Sequence, residues 1–211
     1  MLIYLVRHGQ SEWNKANIHQ TPDIPLSEEG LKQAEFLAKR LKDIHFDLIY
    51  SSPIKRAKQT AEIINRVHGS PIEFWEDISE WKSPTQIRGK AAENPEASAI
   101  LTSIFESLRK GERNYKYSDE ESFEELSIRA KKVLKHLEEK HKDQTILCIS
   151  HGTMIKAIVS QVVFGEDASP EIFVKMKEHM WIQNTGVTIC EKSEKHGWTL
   201  NTWNDLNHLS L

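Results

Sequence analysis

The 211 residues carry 28 Lys and Arg against 31 Asp and Glu, a formal net charge of -3, with 38% hydrophobic and 28% charged residues. That balance suits one globular domain over 1–211 with a substantial core. It excludes the broad cationic surface that nucleic-acid or membrane-surface binding requires, so an anion has to be bound locally. Cys148 and Cys190 sit among strand-like apolar residues and are expected as buried thiols in a reducing compartment. No run of about 18 apolar residues appears, and Met1 leads into an apolar strand without the charged start of a secretion signal. A cytoplasmic location is the expectation.

Along the chain, Leu2 to Val6 is an uninterrupted apolar run, suited to a strand buried on both faces, and it ends at Arg7-His8-Gly9. Ser27 caps a predicted helix with Glu28 and Glu29 in its first turn and an apolar stripe of Leu31, Ala34, Leu37, Ala38 and Leu41. A strand is predicted over 46–50. Ser51-Ser52-Pro53 then predicts a helix with a hydroxyl cap and proline at its first position, running to about Val67. A third strand is expected from Pro71 to Trp75. The stretch 78–118 reads as an inserted segment of loops and one helix, started by Asn94-Pro95 and carrying Ile100, Ile104, Phe105 and Leu108. Ser122 and Glu125 have capping-box spacing ahead of a helix with Phe123, Leu126, Ala130, Val133, Leu134 and Leu137 inward. Thr145 to Ser150 is strand-like and ends at His151-Gly152. The helix after it, Thr153 to Phe164, should stop at a left-handed Gly165. Ser169-Pro170 starts a further helix, and 187–190 with 198–203 predict a closing hairpin. Strands alternating with helices predict a three-layer α/β/α sandwich around a mostly parallel sheet.

Three strand-to-helix junctions each deliver a residue suited to a phosphate, and in such sheets the junctions gather at the carboxyl edge where ligands bind. The first gives Arg7 and His8, the second Arg56, the third His151 with Gly152. Arg56 lies beside a helix N-terminus, which favours an anion. Two guanidinium forks can grip phosphoryl oxygens and hold their charge through a transition state. A cation next to His8 should lower its pKa and leave a neutral nitrogen free to attack. Glu80 is the candidate general acid, with Trp81 as the neighbour that would exclude water from it. Glu76 and Asp77 are the alternatives. Asn14 is either a polar contact to the bound group or a turn residue. His136 and His141 are five apart and miss the four-residue spacing of a helical zinc pair, so no metal or other cofactor is expected. Lys82, Arg88 and Lys90 could meet a second anionic group or simply face solvent, while Arg109, Lys110 and Arg113 read as surface decoration.

The run Leu5-Val6-Arg7-His8-Gly9-Gln10-Ser11-Glu12-Trp13-Asn14 resembles the signature of the histidine phosphatase superfamily, which includes cofactor-dependent phosphoglycerate mutases. Asp23 to Ser27, Gly30 with Gln33-Ala34, Ser51 to Ala61 with Arg56, Ser150-His151-Gly152 and Asn184 follow the family pattern in order, over nearly the whole chain. The resemblance implies a phosphoglycerate mutase-like fold and a phosphohistidine at His8. It also implies a phosphate pocket from Arg7, Arg56 and His151, a polar contact from Asn14, and no metal. Two departures stand out. Trp81-Lys82-Ser83-Pro84 replaces a Gly-x-Trp-Glu-Gly stretch, and Glu120-Glu121-Ser122 replaces Gly-Glu-Ser. Hydrolysis of a small phosphorylated substrate is the expectation. The alternatives are a mutase, although the Arg-Tyr-Gly element of longer relatives is missing, and a non-catalytic phosphate-binding module. The oligomeric state is not legible.

Overall fold

The computed structural model describes residues 1–209. Its centre is a six-stranded sheet: β1 (Leu2–Arg7), β2 (Leu48–Ser51), β3 (Ile72–Phe74), β4 (Thr145–Ser150), β5 (Val187–Ser193) and β6 (Gly197–Asp205). The spatial order is β3-β2-β4-β1-β5-β6. The first four in that order run parallel, and β5 and β6 close the sheet as antiparallel neighbours. Among the described residues seven α-helices flank it: α1 (Glu12–Lys15), α2 (Glu28–Leu41), α3 (Lys55–His68), α4 (Pro95–Arg109), α5 (Phe123–Lys140), α6 (Gly152–Phe164) and α7 (Pro170–His179). Among the described residues no helix is long and apolar enough to cross a membrane.

The side-chain alternation of the central strands makes two cores. Ile3, Leu5, Ile146 and Cys148 face α4 to α7, whereas Val6, Ile49, Leu147 and Ile149 face α2 and α3. The expected three layers are therefore present. Both cysteines are buried free thiols, and burial pushes each up to about 12.

Register decides where the junctions fall. Arg7 pairs with Ser150 across β1 and β4, and Ser51 pairs with Ile149 across β2 and β4. Three parallel strands thus end at one level, and the next residues, His8, Ser52 and His151, emerge side by side.

Several caps agree with the sequence reading. Ser27, Asn94 and Ser169 each accept a backbone N–H of their helix, and Ser122 with Glu125 forms both halves of a capping box. Gly165 does end α6 at positive φ, though with ψ of -124° it lies outside the left-handed helical well.

Other elements differ. Helix α3 starts at Lys55, without a side-chain cap; the Ser52 hydroxyl instead meets His151 and Ser79 and accepts from Ile54 N at 3.3 Å, ahead of the helix. Leu31 is 38% exposed; Gly30 takes its place on the buried stripe of α2. Phe46 is buried but precedes its strand, and β3 is a short edge strand with Glu73 and Phe74 exposed. The short helix α1 was not expected; Ser11 and Asn14 cap it reciprocally.

The loop after His8 depends on a close backbone crossing. A Cβ at Gly30 would lie 1.9 Å from Gln10 O, and one at Gly9 would lie 2.6 Å from Gly30 O. Both obstacles are main chain, so neither yields by rotating a side chain. Gly30→Ala should cost about 1–3 kcal/mol of stability, measurable by urea denaturation. An unchanged midpoint would show that the crossing is not tight.

Candidate active site

Arg56 sits in the first turn of α3 and is 3% exposed, and it reaches both imidazoles. Its Nε donates to His8 Nε2 at 3.1 Å, and its Nη2 lies 3.2 Å from His151 Nδ1. The ring centroids are 5.0 Å apart. A guanidinium can only donate, so both contacted ring nitrogens act as acceptors. The remaining ring nitrogens complete the assignment. His8 Nδ1 donates to Gly9 O at 2.7 Å, and His151 Nε2 donates to Ser52 Oγ at 2.9 Å. Both imidazoles are neutral, each with a defined tautomer.

The electrostatics favour the same state. His8 is held well below the usual histidine range, first by burial, then by Arg56, His151 and Arg7. His151 is held there by burial, then Arg56, Arg7 and Arg129. The adjacent Arg7 is therefore the smallest of the charge effects on His8, and burial the largest, which reverses the emphasis drawn from adjacency in sequence. Arg56 is itself pushed down to about 10 by burial against the opposing pull of Glu80, and it stays charged at neutral pH.

Arg7 completes the basic side. Its Nη1 donates to Ile182 O at 2.7 Å, while its Nε is buried with no hydrogen-bond partner. A buried guanidinium donor without an acceptor is rare and marks a place for an anion. Gly152 opens α6 directly after His151 and packs against the Arg7 side chain, so the first turn of a 13-residue helix faces the same point.

Glu80 lies at the edge of this group. Its Oε1 accepts from Trp81 N at 2.9 Å and from Thr153 N at 3.2 Å. The indole of Trp81 donates instead to Glu121 O at 2.7 Å. The hydrogen bond that Trp81 gives Glu80 thus comes from its backbone. Glu76 accepts from Ser79, and Asp77 is paired with Lys132 at 2.8 Å, so both alternatives are engaged on the rim. Asn14 Oδ1 accepts from Ser11 N at 3.2 Å and from Asn184 Nδ2 at 3.3 Å, and Asn184 also donates to His8 O at 2.9 Å. The turn role of Asn14 is therefore real, and through Asn184 it also braces the His8 backbone.

A cleft of about 1170 Å³ opens over Arg56 and Glu80, walled by 18–22 on one side and by the inserted 78–118 segment on the other. Lys82 and Arg88 line it, while Lys90 is paired with Glu96 at 2.5 Å. Arg109 and Arg113 pair with Glu178 and Glu124 near the surface. His136 and His141 both meet the Tyr50 hydroxyl, at 3.2 and 2.9 Å.

Four residues beyond the sequence reading support the site. Ser52, read as a helix cap, holds His151. Thr60 accepts from Gly9 N at 3.1 Å and donates to Arg56 O at 2.8 Å, tying the His8 loop to α3. Arg129 donates to the carbonyls of Asp77 and Ser79 and pairs with Glu121, which fixes the Glu80 loop. Lys177 donates to Thr153 Oγ1 at 3.1 Å inside the cleft. Ser52 and Thr60 stood within the Ser51 to Ala61 motif, though without an assigned role at the site; a lone Lys or Arg on a helix gives no spacing signal.

A three-layer fold that gathers two neutral histidines and two arginines at one sheet edge defines a class, the phosphate-handling enzymes of the histidine phosphatase type. The chain matches the histidine phosphatase superfamily (branch 1) over residues 3–206 and belongs to it; it is a phosphatase. It is 30% identical over 209 residues to the uncharacterized phosphatase PhoE of Bacillus subtilis (strain 168), covering 99% of this chain and 96% of that one. It is also 30% identical over 222 residues to a metal-independent phosphoserine phosphatase of Arabidopsis thaliana, covering 99% and 83%. Among solved structures, a mutant phosphoserine phosphatase of Entamoeba histolytica in complex with phosphoserine aligns with a TM-score of 0.77 at 26% identity, covering 99% and 98%.

The two depressed histidines make stability pH-dependent. Unfolded histidine titrates near 6.5, so below that pH the unfolded chain binds protons that the folded one refuses, and stability falls as pH falls. Each histidine steepens the loss by up to about 1.4 kcal/mol per pH unit. His151→Gln keeps an amide for Arg56 and Ser52 but does not titrate. Between pH 7 and 5.5 it should lose about 1–2 kcal/mol less than the wild type in urea denaturation. Equal losses would contradict a buried neutral His151.

Proposed function

We propose that this phosphatase hydrolyses a small phosphomonoester without a metal, through a phosphohistidine at His8. One observation carries the reading: Arg56 bridges two neutral imidazoles whose tautomers leave His8 Nε2 as the acceptor nitrogen. That nitrogen holds the lone pair needed for in-line attack on phosphorus. In the structure the lone pair accepts the Arg56 Nε–H, so substrate binding transfers that donor to a phosphoryl oxygen and frees the nitrogen. Arg7 Nε, the Arg56 guanidinium and the His151 ring then surround the phosphoryl group and hold its charge. Gly152 and Asn14 contribute by position, the first at the start of α6 and the second through Asn184 on the His8 backbone.

The first step forms the N–P bond at His8 and breaks the bond from phosphorus to the ester oxygen, with Glu80 giving its proton to the leaving oxygen. In the second step Glu80 takes a proton from water as that water attacks phosphorus, and the N–P bond breaks to return His8 and release phosphate. The arginines supply the positive charge that a metal ion would otherwise bring to the phosphoryl oxygens. The relatives named for phosphoserine support a compact substrate of that kind. We further propose that 1–211 is one catalytic domain with 78–118 inserted over its site, and that the buried free thiols reflect a cytoplasmic location.

Purified protein should release phosphate from p-nitrophenyl phosphate in the presence of a chelator, and rapid mixing should trap an acid-labile phosphoenzyme. His8→Ala should lower turnover by about 10³-fold or more; near-normal activity in that variant would refute the nucleophile. Glu80→Gln should cost about 10²- to 10⁴-fold on alkyl phosphates. In kcat/KM, which reports formation of the phosphoenzyme, the loss should be much smaller on p-nitrophenyl phosphate, whose phenolate leaves without a proton. Equal losses on both substrates would remove Glu80 from the acid role.

A further inference from the structure

The charges at the floor of the cleft do not balance. Arg7 acts on Arg56, Lys156 and Lys177, Lys177 acts on Lys156, and Glu80 is the carboxylate that acts on all four. With Glu80 ionised a bound phosphoryl dianion would leave one excess positive charge, and with Glu80 protonated for the acid step it would leave two. Lys156 is only 7% exposed, and burial, Lys177 and Arg7 push it down to about 8. Keeping a second ammonium beside it is costly unless an anion completes the group.

Lys177 is placed to receive that anion. It projects from α7 onto the start of α6, where its Nζ donates to Thr153 Oγ1 at 3.1 Å. The same Thr153 gives its N–H to Glu80 Oε1 at 3.2 Å. The ammonium therefore lies one residue from the carboxylate that would protonate the ester oxygen, on the leaving-group side of the site. Among the described residues no carboxylate forms an ion pair with Lys177; the nearby acids are committed elsewhere, Glu121 to Arg129, Glu125 to Lys116 and Asp77 to Lys132. On its other side lies a cavity of about 30 Å³ walled by Ile104, Leu108, Phe123 and Phe173, with room for little more than a water. The Phe105 ring centroid is 5.9 Å from Nζ. Glu120 and Glu121 also line that cavity, but Glu120 accepts from Tyr117 N and Ser118 N and Glu121 is held by Arg129, so neither forms an ion pair with Lys177.

We infer that Lys177 and the Thr153 hydroxyl form a second anion subsite, which takes the carboxylate of a phosphomonoester whose leaving alcohol is a small hydroxy acid. A carboxylate matches the Lys177 ammonium one for one and can accept from both Nζ and the Thr153 hydroxyl. The carboxylates of the outer wall, Glu76, Asp119 and Glu120 among them, also disfavour a larger polyanion. This subsite rests on the hydrolytic reading above, because Glu80 marks the leaving-group side only if it is the acid.

The test uses substrate pairs that differ by the carboxylate: O-phosphoserine with O-phosphoethanolamine, and 3-phosphoglycerate with glycerol 3-phosphate. The wild type should favour the carboxylated member of each pair by roughly 10- to 100-fold in kcat/KM. Lys177→Met should bring both ratios close to one, chiefly by raising KM for the carboxylated member, and Lys177→Arg should restore part of the preference. An absent preference in the wild type, or a Lys177→Met variant whose ratios are unchanged, would overturn the subsite. Equal loss on both members of a pair would reduce Lys177 to a structural role. Phosphate release from p-nitrophenyl phosphate, measured alongside, separates these outcomes from failure of the hydrolytic reading, in which no substrate would turn over.

Discussion

Arg56 donates to two imidazoles from one guanidinium, and the rest of the site is arranged around that contact. A planar fork with fixed donor directions sets the angle between the rings and compels each to present a lone pair. The second nitrogen of each ring must then donate, and the fold supplies an acceptor for both, Gly9 O and Ser52 Oγ. Were either imidazole protonated, the contact with Arg56 would become repulsive. Burial and positive charge therefore act in the same direction, and the neutral pair is a property of the fold.

The sheet register makes this contact possible. Because β1, β2 and β4 end at the same level, the groups that leave them need no long loops to meet. The crossing of Gly9 and Gln10 with Gly30 keeps the His8 loop close to α2, and Thr60 ties it to α3. The residues that bear the chemistry are thus fixed by main-chain contacts and short hydrogen bonds, while the cleft above them is formed by longer and more polar segments.

Much of this was legible in the sequence, for physical reasons that differ from residue to residue. An apolar run broken by Arg7-His8-Gly9, and another broken by His151-Gly152, announce buried strands that end in polar chemistry. The hydroxyl and amide caps at Ser27, Asn94, Ser122 and Ser169 were readable because capping is local. Ser52 was misread for the same reason, since a serine before proline looks like a cap until a distant imidazole claims its hydroxyl. Leu31 was misplaced because the helical period leaves two neighbouring positions competing at the edge of a stripe. Lys177 and Arg129 left no trace, because their significance comes from helices that meet only in three dimensions. Arg7 does lower His8 as expected, but burial, Arg56 and His151 outweigh it, and none of these can be ranked without the fold.

The position of the 78–118 segment, inserted between β3 and α5, has a consequence for how such a protein can change. Arg7, His8, Arg56 and His151 come from the sheet edge and the helices that start there, whereas much of the opposing wall comes from 78–118. Residues in that wall can be exchanged or lengthened without disturbing the pairing of the six-stranded sheet. A lineage built on this plan can alter its diet while its reaction stays the same.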